Sequence, residues 1–296
     1  MSHAARQLTK IGVFYDGNYF DRVSKYYNHQ HEKKAWISVS GLHDYIRYCV
    51  GVHEEVEHRA CQVIDAHYFR GRFSAQKSSE KTLFNERVVD DMLMRENVTA
   101  HYLPMNFVGK EKGVDVWLAL EAFELAIYKH FDVVVLIASD GDYIPLARKL
   151  KTLGIRVMTV SWFFTHETAS GEIQVARPSQ MLLREVNYSI VMSEIIDRMD
   201  ATSGDERVVL SGLFQRRRDR QPPSGAAEAD WKVGFIDVLK ETYGLIRPEI
   251  GLKNMFFPYK ALTDIDPDEL EEGMEVSYQE GTGQKGTFAK IVRTAS

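Results

Sequence analysis

Two apolar runs in this chain each end in an aspartate: Ile11-Gly12-Val13-Phe14-Tyr15 meets Asp16, and Val133-Val134-Val135-Leu136-Ile137-Ala138-Ser139 meets Asp140. Short apolar runs of this kind read as buried strands. In an open parallel sheet, side chains from different strands converge beyond the carboxyl ends, and carboxylates gathered there could hold a hard divalent cation through oxygen. A third acid, Asp115, opens the helical stretch Val114 to Ala126, where Ala119, Ala122 and Ala126 are expected to stack above it on one face. Small residues on such a stripe let a helix approach its neighbour closely. An acid on that face is costly to bury unless it is paired or bound to metal, so the spacing predicts that Asp115 joins the other two.

Each residue also has a plainer reading. Asp16 precedes Gly17, a turn pair, and Asn18 and Asp142 stand where helix caps belong. Lys112, one turn before Asp115, offers it an ion pair, and Ser139 could meet either phosphate or backbone. Past the second strand, Tyr68-Phe69-Arg70-Gly71-Arg72-Phe73 interleaves aromatics with arginines, a pattern suited to bases and phosphates and equally to a solvated strand end.

These residues need a frame. Strands are expected at 11–15, 62–69, 99–103, 132–138 and 155–160. Helices are expected near 18–27, 41–50, 80–96, 114–130, 143–153 and 178–199, with Gly154 as a left-handed cap. Strand and helix patterns alternate from about 9 to 199, which predicts an α/β domain with a parallel sheet. Residues 200–230 carry Arg216-Arg217-Arg218-Asp219-Arg220 and then Gln221-Pro222-Pro223-Ser224-Gly225, which is linker chemistry, although apolar Val208 to Phe214 could dock on either side. From 231 to 294, five short strand patterns predict a small β-barrel.

With 37 basic and 42 acidic residues the formal net charge is −5, so a polyanion could be attracted only by local patches or bound metal. Two cysteines give no disulfide framework, and ten histidines show no metal-ligand spacing. No signal peptide or membrane-length apolar run is apparent, so a cytoplasmic protein without membrane association is expected. The oligomeric state is open, a homo-oligomer included.

The segments Val13-Phe14-Tyr15-Asp16-Gly17-Asn18, Lys112-Gly113-Val114-Asp115-Val116 and Ala138-Ser139-Asp140-Gly141-Asp142-Tyr143, followed by Pro145-Leu146 and Gly154-Ile155-Arg156-Val157, resemble the NYN domain, a PIN-like nuclease family. The resemblance implies a three-layer α/β/α sandwich and an acidic pocket that binds Mg²⁺ or Mn²⁺ and cleaves RNA, leaving a 5′-phosphate and a 3′-hydroxyl. Asp16, Asp115, Asp140 and Asp142 would be catalytic and metal-binding, and Asn18, Lys112, Ser139, Arg70 and Arg72 would contact substrate.

Residues 232 to 293 resemble a cold-shock-type OB fold through Gly234-Phe235-Ile236-Asp237, Tyr243-Gly244-Leu245-Ile246-Arg247-Pro248, Asn254-Met255-Phe256-Phe257-Pro258-Tyr259, Leu270 to Val276 and Lys285 to Val292. The likeness implies that Tyr243, Phe256 and Tyr259 stack bases of single-stranded RNA. Leu245, Pro258 and Val238 depart from the family's aromatic, histidine and tryptophan, and the stretch 264–272 adds an acidic loop. The expected whole is a metal-dependent ribonuclease with an RNA-binding module. The alternatives are an inactive RNA-binding or adaptor protein of this fold, and a metal-dependent phosphatase. Against the phosphatase, Asp16-Gly17-Asn18 lacks the second aspartate such enzymes use.

Overall fold

A computed structural model of the chain describes residues 8–105, 111–167, 173–215, 231–240, 242–249, 254–265, 267, 270–283 and 286–294. The first apolar run forms β1 (Thr9–Asp16), followed by α1 (Gly17–Lys25), a two-residue β2 (Trp36–Ile37) and α2 (Val39–His53). Then come β3 (Cys61–Arg72), α3 (Glu80–Arg95), β4 (Thr99–Pro104), α4 (Val114–Lys129), β5 (Val133–Ile137), α5 (Ile144–Thr152) and β6 (Arg156–Ser161). A hairpin of β7 (Phe164–Glu167) and β8 (Ile173–Ala176) leads to α6 (Gln180–Glu185), β9 (Tyr188–Val191), α7 (Met192–Arg198), α8 (Gly204–Leu210) and β10 (Phe214–Gln215).

The six long strands pair in the order β4-β3-β1-β5-β6-β9, and every neighbouring pair is parallel. Alternate residues of a strand face opposite sides, and both sides are buried here. Val13, Tyr15, Val135 and Ile137 enter one core with residues of α2 and α7. Phe14, Val134 and Leu136 enter the other with residues of α4 and α5. The result is the three-layer, PIN-like α/β/α sandwich, which explains why the central strands read as continuous apolar runs.

One expected element is corrected. The segment 178–199 is not a single helix: α6 stops at Glu185, the chain extends at Val186, and β9 then joins the sheet beside β6. Asn187 makes the switch, its amide donating to the Val157 carbonyl and its Oδ1 accepting from the Val157 amide, both at 2.9 Å. Apolar residues four apart imitate a helix there, but an unpaired sheet edge offers more hydrogen bonds than a lone helix turn. Ordered chain also runs past 199: Leu210 and Leu213 are buried in the first core, and β10 pairs with β2.

Two compact units result, one of Met1–Ser78 with Asn85–Gln215 and the other of Ser79–Phe84 with Arg216–Ser296. The second contains a closed barrel of β11 (Lys232–Leu239), β12 (Tyr243–Pro248), β13 (Met255–Pro258), β14 (Glu275–Gly283) and β15 (Gly286–Thr294), paired as β11-β12-β13-β15-β14. This is OB architecture around Ile236, Ile246, Phe257, Val276 and Val292. The arginine run 216–220, the proline-glycine stretch after it, and Asp266, Asp268 and Glu269 of the acidic loop lie outside the described residues. No helix among those described is long and apolar enough to cross a membrane.

Candidate active site

The register of the sheet brings the acids to one edge. Tyr15 on β1 pairs with Ile137 on β5, so Asp16 and Asp140 both lie just past the carboxyl ends of neighbouring strands. Asp16 is also the N-cap of α1, its Oδ1 accepting from the Tyr19 amide at 3.0 Å. Asp140 caps the short turn Gly141–Tyr143, its Oδ1 accepting from the Asp142 amide at 3.1 Å. The capping expected of Asn18 and Asp142 therefore belongs to Asp16 and Asp140, each two residues earlier. An N-cap must be extended while its side chain reaches forward to the next free amides, and the strand ends supply that conformation.

Asp115 departs from expectation in a different way. The buried stripe of α4 is Val114, Leu118, Ala122 and Ala126, spaced by four, while Asp115 is exposed and Ala119 half-buried. One residue is about 100° of helix, which moves the acid from the packed face to its shoulder. Asp115 therefore bears little burial cost, and among the described residues no cation forms an ion pair with it. The helix it opens follows Gly113, whose φ of 76° lies in the left-handed region open to glycine.

Beside Asp16 stands a residue the sequence did not mark. Tyr143 is buried, and its hydroxyl donates to Asp16 Oδ2 at 3.4 Å. Its pKa is raised first by burial, then by the charges of Asp16 and Asp115, the bond to Asp16, and Asp140. The phenol thus remains a proton donor. Burial likewise lifts the Asp16 carboxyl above its ordinary range and Asp140 adds to the rise, opposed by the Tyr19 amide, Arg22 and the Tyr143 hydroxyl. Asp142 is exposed beside them.

Glu111 was also missed, although it stands four residues ahead of Asp115. Its Oε1 accepts from the Gly71 amide at 2.8 Å, at the carboxyl end of β3. Burial raises its pKa, the Gly71 amide opposes this, Asp16 adds to it, and Arg70 and Arg22 oppose it. Arg70, half-buried, pairs with Asp21 at 3.2 Å and faces this group. Arg72 stands apart, held by Glu86 at 3.3 Å and Asp90 at 2.7 Å with its guanidinium 3.6 Å from the Tyr102 ring centre. Asn18 is half-buried in the first turn of α1 and Lys112 is exposed. Ser139 is engaged by backbone and core: its carbonyl accepts from the Ser179 amide at 2.8 Å, and its hydroxyl meets that of Tyr19.

The donor set suits a hard cation, since carboxylate oxygens dominate and each retains free lone pairs. Among the described residues, however, no three acids, histidines or cysteines stand close enough to enclose an ion.

On the barrel, Tyr243 and Phe256 stand side by side on β12 and β13, ring centres 5.1 Å apart. Phe256 is also paired in register with Phe288 on β15, and Phe235 alternates with buried Gly234 and Ile236. Strand alternation thus adds Phe235 and Phe288 to the outer side. Tyr259 does not join them. Its ring packs near Phe257 and against the barrel core, and its hydroxyl donates to the Lys240 carbonyl.

The family profile of the NYN domain matches residues 10–180, and that of the "cold-shock" DNA-binding domain matches residues 232–295. Among curated proteins none matches the chain. Among solved structures the chain is similar to Acinetobacter baumannii MurG at 12% identity and a TM-score of 0.23, over 51% of this chain and 35% of that one; so low a score bears on neither fold nor function. An NYN domain is a PIN-like nuclease domain, and cold-shock domains bind nucleic acid. With more than half its length matched by the first profile, this chain belongs to the NYN domain family and carries a cold-shock domain after it.

Proposed function

We propose that the chain is a Mg²⁺- or Mn²⁺-dependent ribonuclease that hydrolyses phosphodiester bonds of single-stranded RNA, with the barrel helping to hold the strand. The observation that carries this reading is that Asp16 and Asp140 cap the carboxyl ends of the neighbouring strands β1 and β5, with the Tyr143 hydroxyl donating to Asp16. Asp16 and Asp140, with Asp115 and Asp142 at the rim, would hold the ion. When bound, it supplies Lewis-acid polarisation of the scissile phosphate and lowers the pKa of a coordinated water. The Tyr19 amide and the Tyr143 hydroxyl fix both Asp16 oxygens, orienting that carboxylate before substrate arrives. Arg22 and Arg70 offset part of the pocket's negative charge and leave it short of neutral. Products with a 5′-phosphate and a 3′-hydroxyl belong to the same proposal.

A cytoplasmic location belongs to the same proposal, in keeping with two free, buried cysteines, Cys49 and Cys61. The exposure of Asp115 and Asp140 and the open ligand set favour a second reading, RNA binding without turnover. Incubation with labelled single-stranded RNA and Mn²⁺, alongside chelator and Asp140→Asn, separates the two. Cleavage only in the untreated wild-type sample supports the ribonuclease. Binding without cleavage supports the alternative, and equal cleavage in all three samples exposes contamination.

A further inference from the structure

The carboxyl edge holds one more feature, on the strand beyond β5. Ile137 on β5 pairs with Val160 on β6, so Phe163 lies three residues beyond that register pair, as Asp140 does on the β5 side. Trp162 and Phe164 on either side are buried, at 0% and 3% exposure, whereas Phe163 is 45% exposed. Its backbone is nevertheless pinned. The Phe163 amide donates to Ser193 Oγ at 3.0 Å, and the Trp162 amide donates to the Tyr19 hydroxyl at 2.7 Å. Tyr19 is the residue whose amide holds Asp16. Over the Phe163 ring, 5.3 Å from its centre, lies the exposed guanidinium of Arg177. Arg177 is tied to the acids as well, because Ser179, two residues on, donates its amide to the Ser139 carbonyl and packs its hydroxyl against Gly141.

A lone exposed aromatic is unremarkable. A pinned one, with an exposed guanidinium over its face and hydrogen-bond links to Tyr19, which holds Asp16, and to Ser139, the neighbour of Asp140, has the parts of a nucleotide site. A ring that water wets is free to stack on a base of any identity, and a guanidinium contributes a phosphate contact. We propose that Phe163 and Arg177 form a subsite for one unpaired nucleotide next to the scissile position, Phe163 stacking the base and Arg177 meeting its phosphate. The proposal rests on the RNA-processing reading above and deepens it. It assigns the β6 side of the pocket to a flanking nucleotide and predicts tolerance of base identity there.

The test uses the full chain with Asp140→Asn to stop turnover and Tyr243→Ala with Phe256→Ala to silence the barrel's rings. This parent is titrated with a single-stranded RNA hexamer containing 2-aminopurine. Quenching on binding is expected, and Phe163→Ala should abolish most of it and weaken binding about tenfold, within the range of a stacked base. Phe163→Tyr should restore both, which a simple folding defect would not allow. Arg177→Ala should lower the slope of log affinity against log salt by about 0.7, the value for one single-strand phosphate. Quenching and slope unchanged in Phe163→Ala and Arg177→Ala, or no quenching in the parent, overturns the subsite. In the turnover-competent chain, Phe163→Ala should raise KM and leave kcat alone. RNA cutting that ignores Phe163 sinks the subsite and spares the ribonuclease, whereas Phe163-dependent quenching without any cutting by wild type does the reverse.

Discussion

The acid edge of the sheet and the outer face of the barrel are built on opposite principles. At the sheet edge, acids stand near one another at the ends of neighbouring strands, and the Tyr19 amide and the Tyr143 hydroxyl hold Asp16 there. On the barrel, rings such as Phe256, 40% exposed beside Tyr243, face water. The first arrangement stores electrostatic strain suited to binding a cation. The second stores unsatisfied apolar surface suited to bases. The two should therefore fail separately, one in rate and the other in affinity.

Asp140→Asn gives the sharpest separation. Asparagine still accepts from the Asp142 amide, so the turn should persist, while the lost charge should cost several kcal/mol of transition-state stabilisation. The rate should fall about 100-fold or more, with RNA affinity within about twofold of wild type, as read by single-turnover cleavage and a filter-binding titration. Gly17→Ala breaks the sheet edge sterically. An added Cβ would stand 2.5 Å from Tyr68 Cζ and 2.7 Å from the Phe69 carbonyl oxygen, a strain of about 1–3 kcal/mol visible as a lower urea midpoint. Phe256→Ala should do the converse, reducing RNA affinity by about 1–3 kcal/mol with kcat unchanged. Equal losses of rate from Phe256→Ala and Asp140→Asn would erase the contrast.

The smallest effect is set by pH. His43 accepts or donates at 2.8 Å to the Tyr15 hydroxyl, and burial lowers its pKa to about 4 from the ordinary 6.5. Burial also lowers His101 and His31. A histidine with a depressed folded pKa leaves the unfolded chain binding more protons. Stability is therefore full above about 6.5 and declines as pH falls toward 4. Residues 231–296 contain no histidine, so hydrogen exchange at pH 5 against pH 7, corrected for intrinsic rates, should show protection lost in the sheet unit first. Equal loss in the barrel would contradict this.

Much of this was legible in the sequence where one signal dominated. Ile11 to Tyr15 and Val133 to Ile137 are apolar on every residue because both sides of a central strand are buried, and their carboxyl ends carry acids. The barrel strands, with alternating burial in Lys232–Leu239 and Tyr243–Pro248, were readable by the same logic. What escaped had competing signals. Leu182, Val186 and Ile190 repeat by four, yet Asn187 sends the chain onto the β6 edge. Asp115 shares a helix with a small-residue stripe and misses its face by one position. Two-residue strands such as β2 and β10 leave no periodicity at all. Glu111 and Tyr143 act through partners distant in sequence, Gly71 and Asp16, which only the folded sheet brings near.

The central claim is that separate elements deliver their carboxylates to one place where a doubly charged ion can sit. Anomalous diffraction from crystals of the full chain grown with Mn²⁺ tests it most directly. The account predicts a peak at the carboxyl edge with oxygens of Asp16 and Asp140 about 2.1 Å away, near the distance for hard cations with few protein ligands. No peak there at saturating Mn²⁺, with Arg22 instead closing on Asp16, would contradict it.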